Sequence, residues 1–250
     1  MEPVMICAIF PHPDDESFGV AGSVAFYQAR GVRSALICTT RGAAGMGNGL
    51  AETPAELAAV RSEEFACAAR TMGAAAYELL DFADGAGQNW DCSELGARLE
   101  GLLARWRPPV VITFDKDGVT GHPDHIAVHS VVSGLIAAHG PELGVRRLFY
   151  QVVTCPEEAS PEGPSLACVP PETVDVSVDI RPFEPVKRAA LACHRTQAAD
   201  TAHLLDQPAG SLRAEHYQLA WSADGWRPCA GAADLLVDLV SWPGERALHE

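Results

Sequence analysis

Apolar runs and helical periods alternate along most of the chain. Val4 to Phe10 is a continuous apolar run, the pattern of a strand buried on both faces. In Ser17 to Arg30, the residues Phe18, Ala21, Val24, Ala25 and Ala29 fall near a 3.6-residue period, which predicts a helix stopped by Gly31. Ser34 to Thr39 is a second buried strand, and Thr40 to Leu50 is a loop containing Gly42, Gly45, Gly47 and Gly49. Thr53-Pro54 opens a helix by a capping residue followed by proline, and Gly73 ends it after Met72. Further strands are predicted at Ala76 to Asp81, Val110 to Phe114 and Arg147 to Val153. Further helices are predicted at Cys92 to Trp106, Pro123 to Ala138 and Pro185 to Arg195. Residues 155–172 are proline-rich and read as a surface excursion. Thr173 to Ile180 alternates apolar and polar positions, as a half-exposed strand does, and residues beyond 200 carry no clear period.

Strand–helix alternation predicts an α/β fold: a Rossmann-like open, mostly parallel sheet with helices on both faces. Four polar loops, at 11–16, 40–49, 84–89 and 115–125, each follow a strand. They should gather at the rim formed by the carboxyl ends of the strands, where such folds bind ligands. There is no internal repeat and no composition break, so residues 1–250 are expected to form one domain.

Composition narrows the function. A chain of 250 residues, 48% hydrophobic, can bury a substantial core. The net charge of -15 opposes a nucleic-acid surface, favours solubility and does not oppose metal binding. No stretch approaches the roughly 18 uncharged apolar residues of a membrane span, and the first apolar run is too short and lacks basic flanks for a signal peptide. The eight cysteines form no Cys-x-x-Cys pair, and Cys7 and Cys38 lie inside strand patterns, so a reduced, cytoplasmic protein is expected. A homo-oligomer stays open.

The candidate chemistry lies in two of the rim loops. Phe10-Pro11-His12-Pro13-Asp14-Asp15-Glu16-Ser17 places an imidazole and three carboxylates where a strand gives way to a helix. A capping turn needs one carboxylate, and burying several charges is costly unless they are paired or bind a cation. The second cluster is Gly121-His122-Pro123-Asp124-His125, with Pro123 suited to the first helical position. Bringing the two loops to one rim supplies His12, Asp15 and His125. Three protein ligands with an open fourth position is the arrangement of a catalytic zinc. His129, four residues after His125, could also reach such a site from a helix. The set fits metal-assisted hydrolysis, with Asp14 as candidate general base and His122 as oxyanion or acid partner. Asp124 either orients His122 or caps the helix. The glycine loop opens no nucleotide site, because no Gly-Lys-Ser/Thr follows it and no Gly-x-Gly-x-x-Gly follows the first strand.

Pro-His-Pro-Asp-Asp-Glu (11–16) and Gly-His-Pro-Asp-His (121–125) together resemble the two signatures of the LmbE-like, or PIG-L-like, zinc N-deacetylases. The resemblance extends through Thr40-Arg41-Gly42-Ala43-Ala44-Gly45, Arg61, Glu64 and His194-Arg195-Thr196-Gln197, and so covers about residues 4–197 in order. It implies a zinc-dependent hydrolase that removes an N-acyl group, most often acetyl, from an aminosugar-type substrate. It implies His12, Asp15 and His125 as metal ligands, Asp14 as base, His122 as partner, and His129 as a bystander. It also raises Arg61 as a candidate substrate contact, and His194 as either a substrate contact or a residue supporting those that line the site. The chain departs from many relatives at Ala43-Ala44, where they carry Glu, and at Thr120, where mycothiol-type relatives carry Tyr. Two rival readings are a different zinc reaction at the same site, such as a thiol-conjugate amidase or a hydratase, and a non-catalytic zinc-binding protein.

Overall fold

The first apolar run forms the middle of a seven-stranded sheet. A computed structural model of the chain describes residues 3–155 and 166–240. Its strands are β1 (Val4–Phe10), β2 (Arg33–Thr40), β3 (Ala76–Phe82), β4 (Val110–Phe114), β5 (Arg147–Val152), β6 (Val176–Asp179) and β7 (Ala214–Ser222). Its α-helices are α1 (Asp15–Gly19), α2 (Ala21–Gln28), α3 (Pro54–Met72), α4 (Cys92–Trp106), α5 (Gly118–Gly121), α6 (Pro123–His139), α7 (Glu184–Cys193) and α8 (Ala198–Leu205). The sheet order is β3-β2-β1-β4-β5-β7-β6. Pairing is parallel from β3 to β5, and β7 is antiparallel to both neighbours.

Two layers of core explain why β1 is apolar throughout. Ile6, Ala8 and Phe10 face Val24, Tyr27, Phe65 and Met72 on one side. Cys7 and Ile9 face Leu95, Leu99 and Leu103 of α4, and Val128, Val132 and Ile136 of α6, on the other. Both helices repeat their apolar residues every four positions, so each presents one stripe to the sheet. The helix start signals hold too. Thr53 and Glu56 form a reciprocal capping box ahead of α3, and Asp91 caps α4.

The chain winds outward from β1 to β3, then crosses to β4 on the other side of β1. The carboxyl ends of β1 and β4 therefore flank the point where strand order reverses, and the loops of both signatures start there.

Three expectations change. The helix expected from Ser17 to Arg30 is two helices, broken at Val20 (φ -139°, ψ 2°). The Glu215 carboxylate of β7 accepts the Gly22 and Ser23 N–H groups at 3.0 and 2.7 Å, capping the start of α2 from across the sheet. Beyond residue 200, β7 inserts between β5 and β6, where sequence showed no period. The expectation of reduced cysteines is corrected: Cys67 pairs with Cys193 and Cys155 with Cys168, at Cα separations of 5.9 and 4.9 Å. A cytoplasmic setting loses the support it drew from unpaired thiols. Cys7 and Cys38 are buried and unpaired, as their strand positions implied. Of the proline-rich excursion, residues 156–165 lie outside the described residues. Among the described residues no helix is long and apolar enough to cross a membrane.

Candidate metal centre and base

All four polar loops meet at the predicted rim. β1 delivers His12 one residue after Pro11, whose carbonyl is held by the Thr40 N–H and hydroxyl at 2.9 Å each. The His12 N–H donates to Asp15 Oδ2 at 2.8 Å, folding the Asp15 side chain back toward the histidine. From the other loop, His125 lies on the first turn of α6, its ring stacked on Phe114 with centroids 4.5 Å apart. His12 Nδ1 and His125 Nε2 approach to 3.1 Å. Each lies 3.5 Å from an oxygen of Asp15.

The outer nitrogens of these rings are held by neighbouring oxygens. His125 Nδ1 donates to the Gly118 carbonyl at 2.8 Å. His12 Nε2 faces Asp124 Oδ2 and Asp84 Oδ1, both at 3.1 Å. A neutral His125 with Nδ1–H turned to Gly118 presents its Nε2 lone pair to the site, where His12 Nδ1 and the Asp15 carboxylate also converge. Two imidazole nitrogens and a carboxylate around one point form a nitrogen–oxygen donor set that zinc accepts, with ligand basicity raised by the carboxylates behind His12. The residues fit a metal. The same charges tune the groups: burial pulls His12 down, but Asp124, Asp15 and Asp84 outweigh it and hold it well above the usual histidine range. Burial raises Asp84, and His12 overrides that to bring it down to about 2.

Asp14 turns the other way from Asp15. Its carboxylate accepts from Arg61 Nη2 at 3.0 Å, and Arg61 also donates to the carbonyls of Pro13 and Gly42. Gly42 is required here: a Cβ would lie 2.5 Å from the guanidinium, at a φ of +68°. Burial pushes Asp14 up to about 7, although Arg61 pulls it down. That suits a group that must gain and lose a proton at neutral pH. Asp14 also occupies a φ of +133°, a conformation rarely adopted by residues with a side chain and costing on the order of 1–3 kcal/mol. Its N–H donates to Glu16 Oε2 at 3.0 Å, and Glu16 Oε1 accepts from His194 Nε2 at 2.9 Å.

His12, Asp14, Asp15, His122 and His125 thus come together. His122 caps α6, its Nδ1 accepting the Asp124 N–H at 3.2 Å, and its ring lies 4.7 Å from that of His12. Both readings of Asp124 are corrected. Its carboxylate accepts from the Gly85 and Gly87 N–H groups at 2.8 and 2.7 Å and faces His12, so it neither orients His122 nor caps the helix. The substrate-contact readings of Arg61 and His194 are corrected as well. They are 3% and 1% exposed, with Arg61 bonded to Pro13, Gly42 and Asp14 and His194 to Glu16 and Ser17, so His194 supports the site from behind. His129 stays outside the cluster, donating to the Phe114 carbonyl. Sequence reasoning missed Asp84. Its only signal was its place in a polar loop after a strand, beside Gly85 and Gly87. Gly87 matters because a Cβ there would meet the Asp124 backbone at 2.6 Å, so glycine lets the loop reach α6.

Comparison with known proteins places the chain in a family. The family described as PIG-L: GlcNAc-PI de-N-acetylase matches residues 7–136, a span that holds both signatures. The chain is 29% identical to the 1D-myo-inositol 2-acetamido-2-deoxy-alpha-D-glucopyranoside deacetylase of Rhodococcus jostii, over 89% of this chain and 94% of that protein. It is 30% identical to the probable N-acetyl-alpha-D-glucosaminyl L-malate deacetylase 2 of Bacillus anthracis, over 78% of this chain and 81% of that one. The N,N'-diacetylchitobiose deacetylase of Pyrococcus horikoshii shares the fold, with a TM-score of 0.66, 19% identity, and coverage of 87% of this chain and 84% of that chain.

Proposed function

The chain belongs to the PIG-L family, and from that premise we propose that it hydrolyses the N-acetyl amide of a small N-acetylglucosamine conjugate, using zinc held by His12, Asp15 and His125. The observation that carries the metal assignment is the convergence of His12 Nδ1 and His125 Nε2, 3.1 Å apart, on the Asp15 carboxylate, 3.5 Å from each. Zinc there would supply Lewis acidity to the amide carbonyl and to the attacking water. Asp14, held by Arg61, takes the water's proton and returns it to the departing amine. His122 accepts a backbone N–H at Nδ1, which leaves the proton on Nε2 as a donor for the developing oxyanion. Asp124 and Asp84 hold the His12 ring in its ligating tautomer.

Acetate release from N-acetylglucosaminyl-inositol by the zinc-loaded chain tests the reading. Asp14→Ala is expected to keep zinc and lose turnover, whereas His12→Ala loses zinc. Equal zinc loss in both variants would overturn the division of roles between His12 and Asp14.

A further inference from the structure

The reaction as proposed gives no task to the buried imidazole of His194. His194 is 1% exposed and cannot touch a substrate. Among the described residues its Nδ1 has no partner, so its hydrogen bonding runs through Nε2, which lies 2.9 Å from Glu16 Oε1 and 3.0 Å from Ser17 Oγ. Ser17 donates to the same Glu16 oxygen at 2.7 Å. The other Glu16 oxygen holds the Asp14 N–H at 3.0 Å. Asp14 sits at φ 133°, ψ -32°, and a backbone in such a region persists only where its surroundings hold it. The Glu16 carboxylate is that holder, and at 2% exposure it needs a partner of its own.

We infer that His194 is a positioning residue for Asp14, acting through Glu16. The inference rests on the assignment of Asp14 as base. The architecture behind His194 supports it. Arg61, Glu64 and Cys67 stand three residues apart on α3 and form one row along that helix. Arg61 holds the Asp14 carboxylate. Glu64 accepts from the Thr196 N–H and hydroxyl at 2.9 and 2.6 Å. Cys67 is bonded to Cys193, the neighbour of His194. One helix face therefore restrains the base's carboxylate directly. It restrains the base's backbone through the segment that carries His194. Removing the Nε2–H takes from the buried Glu16 carboxylate its one ionisable partner and leaves that oxygen to the Ser17 hydroxyl alone, which loosens the grip on the Asp14 N–H.

The test compares two amide substitutions in the full, zinc-loaded chain. His194→Gln keeps an N–H donor near the Nε2 position, and His194→Asn ends too short to reach Glu16. His194→Asn is expected to lower kcat about 10- to 100-fold with KM and zinc content unchanged, the usual scale for a residue that orients a reacting group. His194→Gln should recover kcat to within roughly fivefold of wild type. A crystal structure of His194→Asn should show the Asp14–Glu16 bond broken and Asp14 at a negative φ. The inference is overturned if Asp14 keeps its φ and its bond in that variant, if KM rises while kcat holds, or if the two variants behave alike. Asp14→Asn separates the two levels. Full turnover in that variant, or no turnover of N-acetylglucosaminyl-inositol by wild type, overturns the reading of the reaction, while the crystal structure still decides the role of His194.

Discussion

Replacing Asp124 by asparagine tests the reinterpretation that the structure forces on that residue. The carboxylate makes three contacts: Gly85 N–H at 2.8 Å, Gly87 N–H at 2.7 Å and His12 Nε2 at 3.1 Å. All three are donors, so an ionised carboxylate satisfies them and an amide cannot. Asparagine keeps one accepting oxygen and turns an NH2 toward a neighbour that also donates. At least one buried donor is then left unmet, at about 1–3 kcal/mol. The His12 ring does not lose all guidance, because Asp84 still faces Nε2 at 3.1 Å. Zinc affinity is therefore expected to fall about tenfold, near the low end of the 10- to 100-fold range for residues that orient a metal ligand. Asp84→Asn with Asp124→Asn should cost more than the sum of the singles, since each carboxylate backs up the other. Competition for zinc against a chromogenic chelator measures the affinity, and kcat at saturating zinc measures the chemistry. The carboxylate acts elsewhere if zinc affinity stays within about twofold of wild type while kcat collapses. That result would restore the view that Asp124 works on His122.

Two further outcomes follow from the same geometry. Arg61→Met removes the guanidinium that pulls Asp14 down against burial, so the acid limb of the kcat/KM profile should move to higher pH. The base acts ionised, so activity falls as pH drops through that limb. Stability runs the other way. Asp14 holds its proton more tightly folded than unfolded, so its contribution is present at low pH and is lost as pH rises toward about 7. An unmoved limb in a folded Arg61→Met protein would refute the pairing. The Cys67–Cys193 bond spans 126 residues of sequence, for which chain entropy predicts about 5 kcal/mol of stabilisation. Dithiothreitol is expected to lower Tm by roughly 10 °C, and peptide mapping without reductant should recover the two cysteines on one linked fragment. An unchanged Tm with both thiols free to alkylation beforehand would show that the bond does not form.

Much of the fold was legible because its signals are local. The apolar run of β1, the Thr53–Glu56 capping box and the every-fourth-residue stripes of α4 and α6 each declare themselves within a few turns. What stayed hidden depends on partners far along the chain. The break at Val20 exists because Glu215, some 190 residues later, caps Gly22 and Ser23. β7 carries that carboxylate and is held by neighbours on both sides, β5 and β6, so its own sequence needs no clear alternation.

The site shows the same division more sharply, within two short loops. Spacing indicates which residues share a turn, and it brought His12, Asp15 and His125 to one rim. It does not indicate which way a carboxylate turns. Asp14, Asp15, Asp84 and Asp124 all lie within one small region, yet each is oriented by a different donor. Arg61 draws Asp14 outward, and the His12 N–H folds Asp15 inward. The Ala44 N–H anchors Asp84, and Gly85 and Gly87 fix Asp124. Three of those five donors are backbone groups in loops remote in sequence from the acid they hold. Gly42 and Gly87 admit the close approaches on which this sorting depends, Gly42 to the Arg61 guanidinium and Gly87 to the Asp124 backbone.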